Sequence, residues 1–343
     1  MSESRSNRHQ RKKSKWKKRI LLTLLILFIL VVGVGGYVFY QAYQTANHSY
    51  QDLDRPGERS ALRESDVAIG KDPISIMLIG VENYATSGEN GRADTQMIVT
   101  LNPHTEKMTI TSIPRDTRVE LTSEGAGQYA GLRKINSAYT YGSITGYGGN
   151  KFTVETAERL LDIPIDEYAT VNFDGFRDIV DALGGVNVDI KRGFWEKNIY
   201  NNDKPIYFEA GPAKLNGEEA LAFVRMRKRA VNSEYPREER QRQFIQSAVE
   251  QAISVGTLFK MDEISKILER DVETSLTPSE IYALERAYSS VDTSNIETLS
   301  IDGMDQMING TSFFIPTNEG LANISQRLKQ ELEINSNNQE PQQ

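Results

Sequence analysis

The fold is decided by three short runs of sequence: ISIMLIGV at residues 74–81, QMIVTL at 96–101 and MTITSI at 108–113. Each run is rich in β-branched residues and is bounded by Gly, Pro or Asn, a pattern typical of strands. A short link, NPHTE at 102–106, joins the second run to the third. These two runs are therefore predicted to form an antiparallel hairpin.

The pairing of these strands would bring distant residues to one edge of a sheet. If the first strand lies antiparallel to the second, its C-terminal end, the start of the second strand and the end of the third share one edge. Glu82, Asp94 and Arg115-Asp116 lie next to those three ends. Loops held at one edge of a rigid sheet commonly carry function, so a site is predicted there.

Helical patterns alternate with strands through the rest of the chain. Asn216 is expected to cap a helix, with Glu219 completing a capping box, and Pro236 suits the first position of another helix. The alternation predicts a single α/β domain of three layers, with a central mixed sheet flanked by helices. The predicted helices cover residues 153–161, 173–183, 216–224, 236–253, 262–268, 278–289 and 319–332, and two further strands cover 186–190 and 296–301.

The first forty residues predict a membrane anchor. Residues 1–19 hold nine Lys or Arg and one acid, whereas residues 20–40 hold no charge. As a helix, the uncharged run would span about 31 Å, enough to cross a hydrocarbon core. A cleaved signal peptide would be shorter and would end in small residues. The basic arm would stay in the cytoplasm, so the residues after the span would lie outside the cell.

Charge divides sharply at this segment. The arm contributes +8 to a formal net charge of −7, so the rest of the chain carries −15. An acidic outer part argues against nucleic acid as a partner, because nucleic-acid binding needs a broad basic face. The arm lies beside the predicted span, which favours contact with anionic lipid headgroups. The chain has no cysteine, which excludes disulfides and thiolate metal sites.

Against this acidic background, arginines gather in three separate stretches: SIPRD at 112–116, RMR at 225–227 and REERQ at 237–241. Planar guanidiniums bind phosphate oxygens two at a time. The clusters therefore predict a discrete polyanionic ligand. Arg225 and Arg227 would share a face only in extended chain. If both bind one ligand, the preceding helix therefore has to end before Arg225.

The third stretch opens a predicted helix. Arg237 and Arg240 in its first turn oppose the helix dipole, and an anion bound at that end would reverse this penalty. The alternative for all these arginines is ordinary solvent exposure with local pairing to acids such as Glu238 and Glu239.

Glu82 and Asp94 are candidate ligands for a hard divalent cation such as Mg²⁺, which takes one or two carboxylates together with phosphate oxygens. As an alternative, both acids would serve as caps at strand ends. Lys134 and Asn136, in the segment KIN, would supply further donors.

Together these motifs resemble the LytR-CpsA-Psr family. The resemblance covers about residues 74–255 in order and extends to the N-terminal anchor. It implies an enzyme of the Gram-positive envelope that transfers teichoic acid or another anionic glycopolymer from an undecaprenyl-pyrophosphate carrier to peptidoglycan. The segments that carry it are GVE at 80–82, RADT at 92–95, SIPRDT at 112–117, KIN at 134–136, FDGF at 173–176, VDALGGV at 180–186, LNGEEAL at 215–221, RMR at 225–227 and REERQ at 237–241.

The resemblance also implies roles for individual residues. Catalysis would fall to Arg115, Asp94 and Arg227, and Asp94 with Glu82 would hold Mg²⁺ or Mn²⁺. The family usually has Asp where this chain has Glu82, so the reach of that side chain differs. The proton acceptor stays open between Asp94 and Asp116. The substrate would be bound by Arg115, Lys134, Asn136, Arg225, Arg227, Arg237, Arg240 and Gln241.

An apolar tunnel between helices and sheet would hold the prenyl tail. Candidates for its lining, each equally an ordinary core residue, are Leu160, Leu161, Phe173, Phe176, Val180 and Phe223. The expected layout is that of a single-pass membrane protein with its catalytic domain outside the cell. It comprises a basic cytoplasmic arm at 1–19, a signal anchor at 20–40, an extracellular spacer at 41–72, the catalytic domain at 73–334 and a disordered tail at 335–343.

Two other functions are possible on the same sequence. A membrane-bound attenuator of transcription would need to read DNA, but a 19-residue arm leaves no room for a DNA-reading fold. A module that binds polyprenyl phosphate without turnover would need the same arginines. Hydrolysis of the pyrophosphate would be a side reaction of the transferase site.

Overall fold

The computed structural model describes residues 50–55, 57, 59–82, 90–227, 229–255, 270–288 and 295–334. The predicted arm, anchor and tail lie outside these ranges, and so does the helix predicted at 262–268. Within the described ranges, no helix has the length and apolar character needed to cross a membrane.

The described ranges contain strands and helices in alternation. The strands are β1 (Ile74–Glu82), β2 (Arg92–Asn102), β3 (Lys107–Ser112), β4 (Arg118–Leu121), β5 (Gly131–Lys134), β6 (Glu167–Asn172), β7 (Val186–Ile190), β8 (Phe194–Asn198), β9 (Lys204–Phe208), β10 (Gly211–Leu215), β11 (Val272–Thr274), β12 (Ile296–Ser300), β13 (Gly303–Ile308) and β14 (Thr311–Pro316). The helices are α1 (Ser123–Ala126), α2 (Ser137–Thr145), α3 (Gly149–Leu161), α4 (Phe173–Ala182), α5 (Gly217–Arg225), α6 (Arg237–Val255), α7 (Pro278–Tyr288) and α8 (Asn318–Glu331).

A six-stranded mixed sheet in the order β11-β6-β1-β2-β3-β12 forms the centre. β2 pairs antiparallel with both β1 and β3, so the predicted hairpin is confirmed. β6 runs parallel to β1, and β12 runs parallel to β3. The ends of β1, β3, β6 and β12 therefore meet the start of β2 at one edge.

Helices cover both faces of this sheet, as the three-layer prediction requires. On one face, Met77 and Ile79 pack in a core with residues of α2, α3 and α8. On the other, Ile74 and Ile76 pack in a core with residues of α6 and α7. Because alternate residues of β1 enter two cores, the strand reads as a nearly continuous apolar run. Full burial of each such side chain is worth about 1.5–3 kcal/mol.

A third core joins α4, α5 and the start of α6 to the small sheets β7–β10 and β8–β9. Asn216 accepts a hydrogen bond from the Glu219 backbone N–H at 3.0 Å, and the Glu219 carboxylate accepts one from the Asn216 N–H at 2.9 Å. The predicted capping box is therefore confirmed. It fixes the start of α5, whose far end carries Arg225.

The predicted spacer differs from expectation over its described part. Leu53 is 4% exposed in the core, and the Tyr168 hydroxyl donates to the carbonyl of Gln51 at 2.9 Å. Arg63 donates to both carboxylate oxygens of Asp166, at 2.9 and 2.7 Å. These buried contacts make the described residues from 50 to 72 part of the folded domain rather than a free linker.

Candidate active site

The edge of the sheet where the strand ends meet carries the residues that were predicted to lie there. β1 ends at Glu82, β2 begins at Arg92 and β3 ends at Ser112. The loop after β3 brings Arg115 beside Asn136, whose N–H donates to the Arg115 carbonyl at 3.2 Å. The predicted convergence of the three strand ends is therefore confirmed by the pairing.

Asp94 owes its position to a β-bulge. Gly80 pairs with Thr95 and Val81 pairs with Ala93, which leaves Asp94 as an extra residue on β2. Bulges interrupt strand alternation and re-aim a side chain, often next to active sites. The Asp94 carboxylate pairs with Arg115 through Oδ2 and accepts from Asn136 Nδ2 through Oδ1 at 3.2 Å. Both carboxylate oxygens are thus held in place.

Asp116 lies between two cations. Its Oδ1 atom is 3.4 Å from Arg115 Nε and 3.0 Å from Lys134 Nζ. Burial acts to raise the pKa of Asp116, but Lys134 and Arg115 together outweigh it and lower the pKa below its ordinary value. The carboxylate therefore stays ionised at the mouth of the site. Lys134 and Asn136, predicted to bind substrate, here orient the two carboxylates.

Arg237 is the most exceptional cation of the site. It is 7% exposed, lies 3.4 Å from Glu238, and its buried Nε atom has no hydrogen-bond partner among the described residues. Burial lowers its pKa, Glu238 and Asp94 oppose this, and the charges of Arg115 and Arg227 lower the pKa further. A buried donor without a partner is costly, and an anion between these guanidiniums would relieve that cost.

One cavity of about 430 Å³ joins these groups. Its wall includes Arg115 and Asp116 after β3, Arg227 after α5 and Arg237 in α6. The three guanidiniums come from the three separate stretches that the sequence singled out. Cavities of this size hold small ligands or parts of larger ones.

Arg225 and Arg227 do not face the same way. α5 ends at Arg225 rather than before it, and Met226 is extended and fully buried. Arg227 lines the cavity, whereas the Arg225 guanidinium lies 5.2 Å from the Phe173 ring centroid. Burial lowers the pKa of Arg225, and the charges of Glu196 and Glu82 oppose that change. Glu82 thus acts on the Arg225 side of the site.

Gln241 connects α6 to the bulged strand. Its Nε2 atom donates to Thr95 Oγ1 at 3.0 Å and reaches the Val224 carbonyl at 3.4 Å. Thr95 packs directly against Gly80, where an added Cβ would lie 2.9 Å from the Thr95 Cβ. Gly80 therefore permits the close approach of Thr95, the residue to which Gln241 donates.

Arg240 departs from the predicted role of pyrophosphate ligand. It is fully buried and donates to the backbone carbonyls of Tyr235, Phe223 and Met226. Burial lowers its pKa to about 10, so it remains cationic at neutral pH. Carbonyls at a helix C-terminus lack partners within the helix, and Arg240 satisfies those at the end of α5. It positions the segment that carries Arg227 instead of facing the cavity.

Five of the six candidates for a prenyl tunnel divide between two cores. Leu160 and Leu161 belong to the core under α3 and α8, whereas Phe176, Val180 and Phe223 belong to the core of α4 and α5. Phe173 lies under Arg225. The six residues therefore do not line one common tunnel.

The LytR_cpsA_psr family model matches residues 36–330. The chain belongs to the LytR-CpsA-Psr family. Among its relatives is TagV of Bacillus subtilis (strain 168), a polyisoprenyl-teichoic acid–peptidoglycan teichoic acid transferase. TagV is 40% identical over 318 residues, which cover 92% of this chain and 79% of TagV. TagU of the same organism carries the same enzyme name and is 34% identical over 95% of this chain and 99% of TagU.

Solved structures of LytR-CpsA-Psr proteins have the same fold. The crystal structure of B. subtilis TagV matches with a TM-score of 0.66, over 77% of this chain and 99% of that one, at 40% identity. A structure of TagT bound to LIIa-WTA matches with a TM-score of 0.65 at 28% identity, over 81% of this chain and 97% of that one. The mixed α/β architecture is therefore that of the family.

Two features of this LytR-CpsA-Psr site were missed from the sequence. The bulge at Asp94 depends on the pairing of two strands, and the local sequence RADT does not predict it. The hairpin β13–β14, which also borders the cavity, was not predicted, although GMDQMI and TSFFIP flank Asn309-Gly310, a turn signal that would have found it.

Proposed function

We propose that this protein transfers a teichoic acid or a similar anionic glycopolymer from a polyprenyl-diphosphate carrier to peptidoglycan. TagV and TagU are named for this reaction, and TagT has been solved with LIIa-WTA and with LI-WTA bound. The observation that carries the proposal is the meeting of Arg115, Arg227 and Arg237 at one cavity. A diphosphate would supply phosphate oxygens for these three guanidiniums to bind.

The reaction needs charge neutralisation more than a protein nucleophile. A hydroxyl oxygen of peptidoglycan attacks the phosphorus nearest the polymer and forms a new P–O bond, while the bond from that phosphorus to the prenyl phosphate breaks. The hydroxyl proton is released, and the prenyl phosphate leaves with the bonding electron pair. Arg115, Arg227 and Arg237 neutralise the departing phosphate. Each donor of this kind typically contributes about 10²–10³-fold to the rate.

Asp116 is better placed than Asp94 to orient the attacking hydroxyl. Asp116 lines the cavity, whereas Asp94 is not among the described residues that form its wall. The lowered pKa of Asp116 keeps it ionised, so it accepts a hydrogen bond from the hydroxyl rather than storing its proton. A carboxylate has this orienting task in other phosphoryl transfers.

A divalent cation, Mg²⁺ or Mn²⁺, would be held by Asp94 and Glu82. The described residues contain no group of three or more His, Cys, Asp or Glu that would form a complete metal site. Two carboxylates at adjacent strand ends suit an ion that takes its remaining ligands from phosphate and water. When bound, such an ion supplies further charge neutralisation to the leaving group. Arg115 and Asn136 keep the Asp94 carboxylate oriented for that role.

We further propose that residues 20–40 anchor the chain in the cell membrane once, with the domain on the outer side of a Gram-positive envelope. The uncharged run after a basic arm supports this arrangement. A polyprenyl carrier resides in the membrane, so the anchor keeps the site near its substrate. The prenyl tail would leave the diphosphate site through an apolar groove of the domain.

The test uses the full chain in detergent micelles, a polyprenyl-diphosphate-linked teichoic acid precursor, peptidoglycan fragments and Mg²⁺. Polymer joined covalently to peptidoglycan, with release of prenyl phosphate, is the expected result. Binding of the precursor with no new product would instead show a lipid-phosphate binding module. Specific operator-DNA binding by the chain would revive the attenuator.

A further inference from the structure

The hairpin β13–β14 forms one wall of the cavity. This wall has no role in the proposed transfer reaction as described above. The Phe314 N–H donates to the Asp116 carbonyl at 2.9 Å, and Thr117 forms a bridge with Phe314. Asp305 and Phe314 both line the cavity. The hairpin is thus tied by its backbone to the loop that carries Arg115.

The register of the hairpin separates two faces. Asp305 lies opposite Phe314, so these side chains share one face, and Gln306 lies opposite Phe313 on the other face. The Phe313 ring centroid is 5.9 Å from the Arg118 guanidinium and 5.8 Å from Lys134 Nζ. One face therefore packs against β4 and β5, and the other is presented to the cavity.

The Phe314 ring has a fixed position. Gly303 lies on the same face, where an added Cβ would collide with Cζ of the ring. Glycine thus allows the edge of the ring to approach the backbone of β13. A half-buried aromatic ring beside a carboxylate offers an apolar face together with a hydrogen-bond acceptor.

The opposite wall is formed by the first turns of α6. Glu238, Glu239 and Arg242 line it, and Glu238 and Glu239 oppose the burial that lowers the pKa of Arg242. This wall mixes hydrogen-bond acceptors and donors. A mixed polar wall facing an aromatic ring suits a neutral ligand rich in hydroxyl and amide groups better than a phosphate chain.

We infer that the space between β13–β14 and the start of α6 is the subsite for the acceptor, a peptidoglycan glycan strand. The inference rests on the proposed transferase function. A sugar ring stacks on Phe314, and its hydroxyls bond Asp305 and Glu238. The hydroxyl to be modified then approaches Asp116 and the phosphorus held by Arg115 and Arg237.

The sugars of the transferred glycopolymer would offer the same chemistry as those of the acceptor. The acceptor is favoured because the subsite adjoins Asp116, the carboxylate placed to meet an incoming hydroxyl. The two sources are separable by measuring binding of each ligand alone.

The experiment measures binding to the full chain in micelles by calorimetry, with two probes: a peptidoglycan glycan fragment and a prenyl-diphosphate-linked disaccharide. Phe314→Leu removes the ring but keeps an apolar side chain, and Asp305→Asn removes one charge. Each is expected to weaken binding of the glycan fragment about tenfold, the effect of losing one stacked ring or one charged hydrogen bond. Affinity for the lipid-linked disaccharide should not change.

Met304→Ala is the matched control, because Met304 is 64% exposed on the same strand and lies on the opposite face from Asp305. It should bind both probes as the wild type does. Unchanged glycan binding by Phe314→Leu with a native melting temperature would overturn the subsite, as would weakened binding of the lipid-linked probe alone. This experiment measures binding and requires no turnover. A failed transfer assay would therefore contradict the proposed function but would not affect the result for the acceptor subsite.

Discussion

At the edge of the central sheet remote from the cavity, Arg63 donates to both oxygens of Asp166, at 2.9 and 2.7 Å, and to the carbonyl of Pro73 at 2.9 Å. At the cavity edge, Arg237 is equally buried, yet its Nη2 atom reaches only to within 3.4 Å of Glu238. The Nε atom of Arg237 has no partner within the described part of the chain.

The difference between the two edges separates a structural ion pair from a binding site. A buried charge persists when neighbouring groups satisfy its hydrogen bonds, and removing one partner is expensive. At the remote edge the fold supplies the partners of both Arg63 and Asp166. At the cavity edge the fold leaves a buried donor atom of Arg237 without a partner among the described residues, and a bound ligand would supply one.

The largest effect is expected at the remote edge. Arg63→Ala leaves Asp166 buried without its partner and should lower the free energy of unfolding by about 3–5 kcal/mol. Chemical denaturation of the folded chain measures this directly. Transfer activity per folded molecule should stay near the wild-type value, and a stable but inactive variant would contradict the division between the edges.

At the cavity edge we expect the opposite result, a loss of activity with little change in stability. Arg115→Ala and Arg227→Ala should each lower the rate of polymer transfer about 10²–10³-fold, because each removes a cation from the departing phosphate. Their melting temperatures should change little compared with this loss. Arg133→Ala, at an exposed position of β5, is the matched control and should retain full activity. Full transfer by either cavity variant would refute the assignment.

Glu167 sharpens the comparison because it is the remote-edge carboxyl that the fold leaves poorly paired. Burial raises its pKa to about 8, which the bond to Ser275 opposes and the charges of Glu280 and Asp166 reinforce. The folded state then binds more protons than the unfolded state between the ordinary pKa and about pH 8. Stability should therefore fall as pH rises through that window, by about 2 kcal/mol between pH 5 and 7.

Glu167→Gln is predicted to flatten this part of the stability profile. The measurement is the free energy of unfolding of both proteins at several pH values. Parallel profiles for the wild type and the variant would show that Glu167 does not titrate in this range.

A smaller effect is expected from Arg237→Lys. The charge is kept, but the planar fork that meets two phosphate oxygens at once is lost. Transfer should fall about tenfold, with weaker binding of a prenyl diphosphate and a native fold. Calorimetry with a short prenyl diphosphate measures the affinity. Equal affinities of the wild type and the Arg237→Lys variant would show that Arg237 does not bind two phosphate oxygens at once.

Local pattern determined much of what the sequence predicted correctly. β1, β2 and β3 were found because β-branched runs and turn residues act over short distances, and their antiparallel order then placed Asp94 near Arg115. The capping box at Asn216 is similarly local. Family resemblance added the chemistry of the substrate, which no strand pattern contains.

The rest required tertiary structure. Arg240 and Arg237 look alike in the sequence REERQ, but the bonds of Arg240 to three carbonyls arise only in the folded chain. The Nε atom of Arg237, by contrast, has no partner among the residues that the structure describes. The bulge at Asp94 likewise exists only through the register of β1 with β2. The cation site at Asp94 and Glu82 remains a prediction.

The most direct test is a crystal structure of the protein with a short prenyl diphosphate and Mg²⁺. The account predicts a diphosphate in the cavity, with its oxygens within hydrogen-bond distance of Arg115, Arg227 and Arg237, and with Arg240 still bonded to the carbonyls at the end of α5. A diphosphate bound elsewhere, with those three guanidiniums facing water, would contradict it.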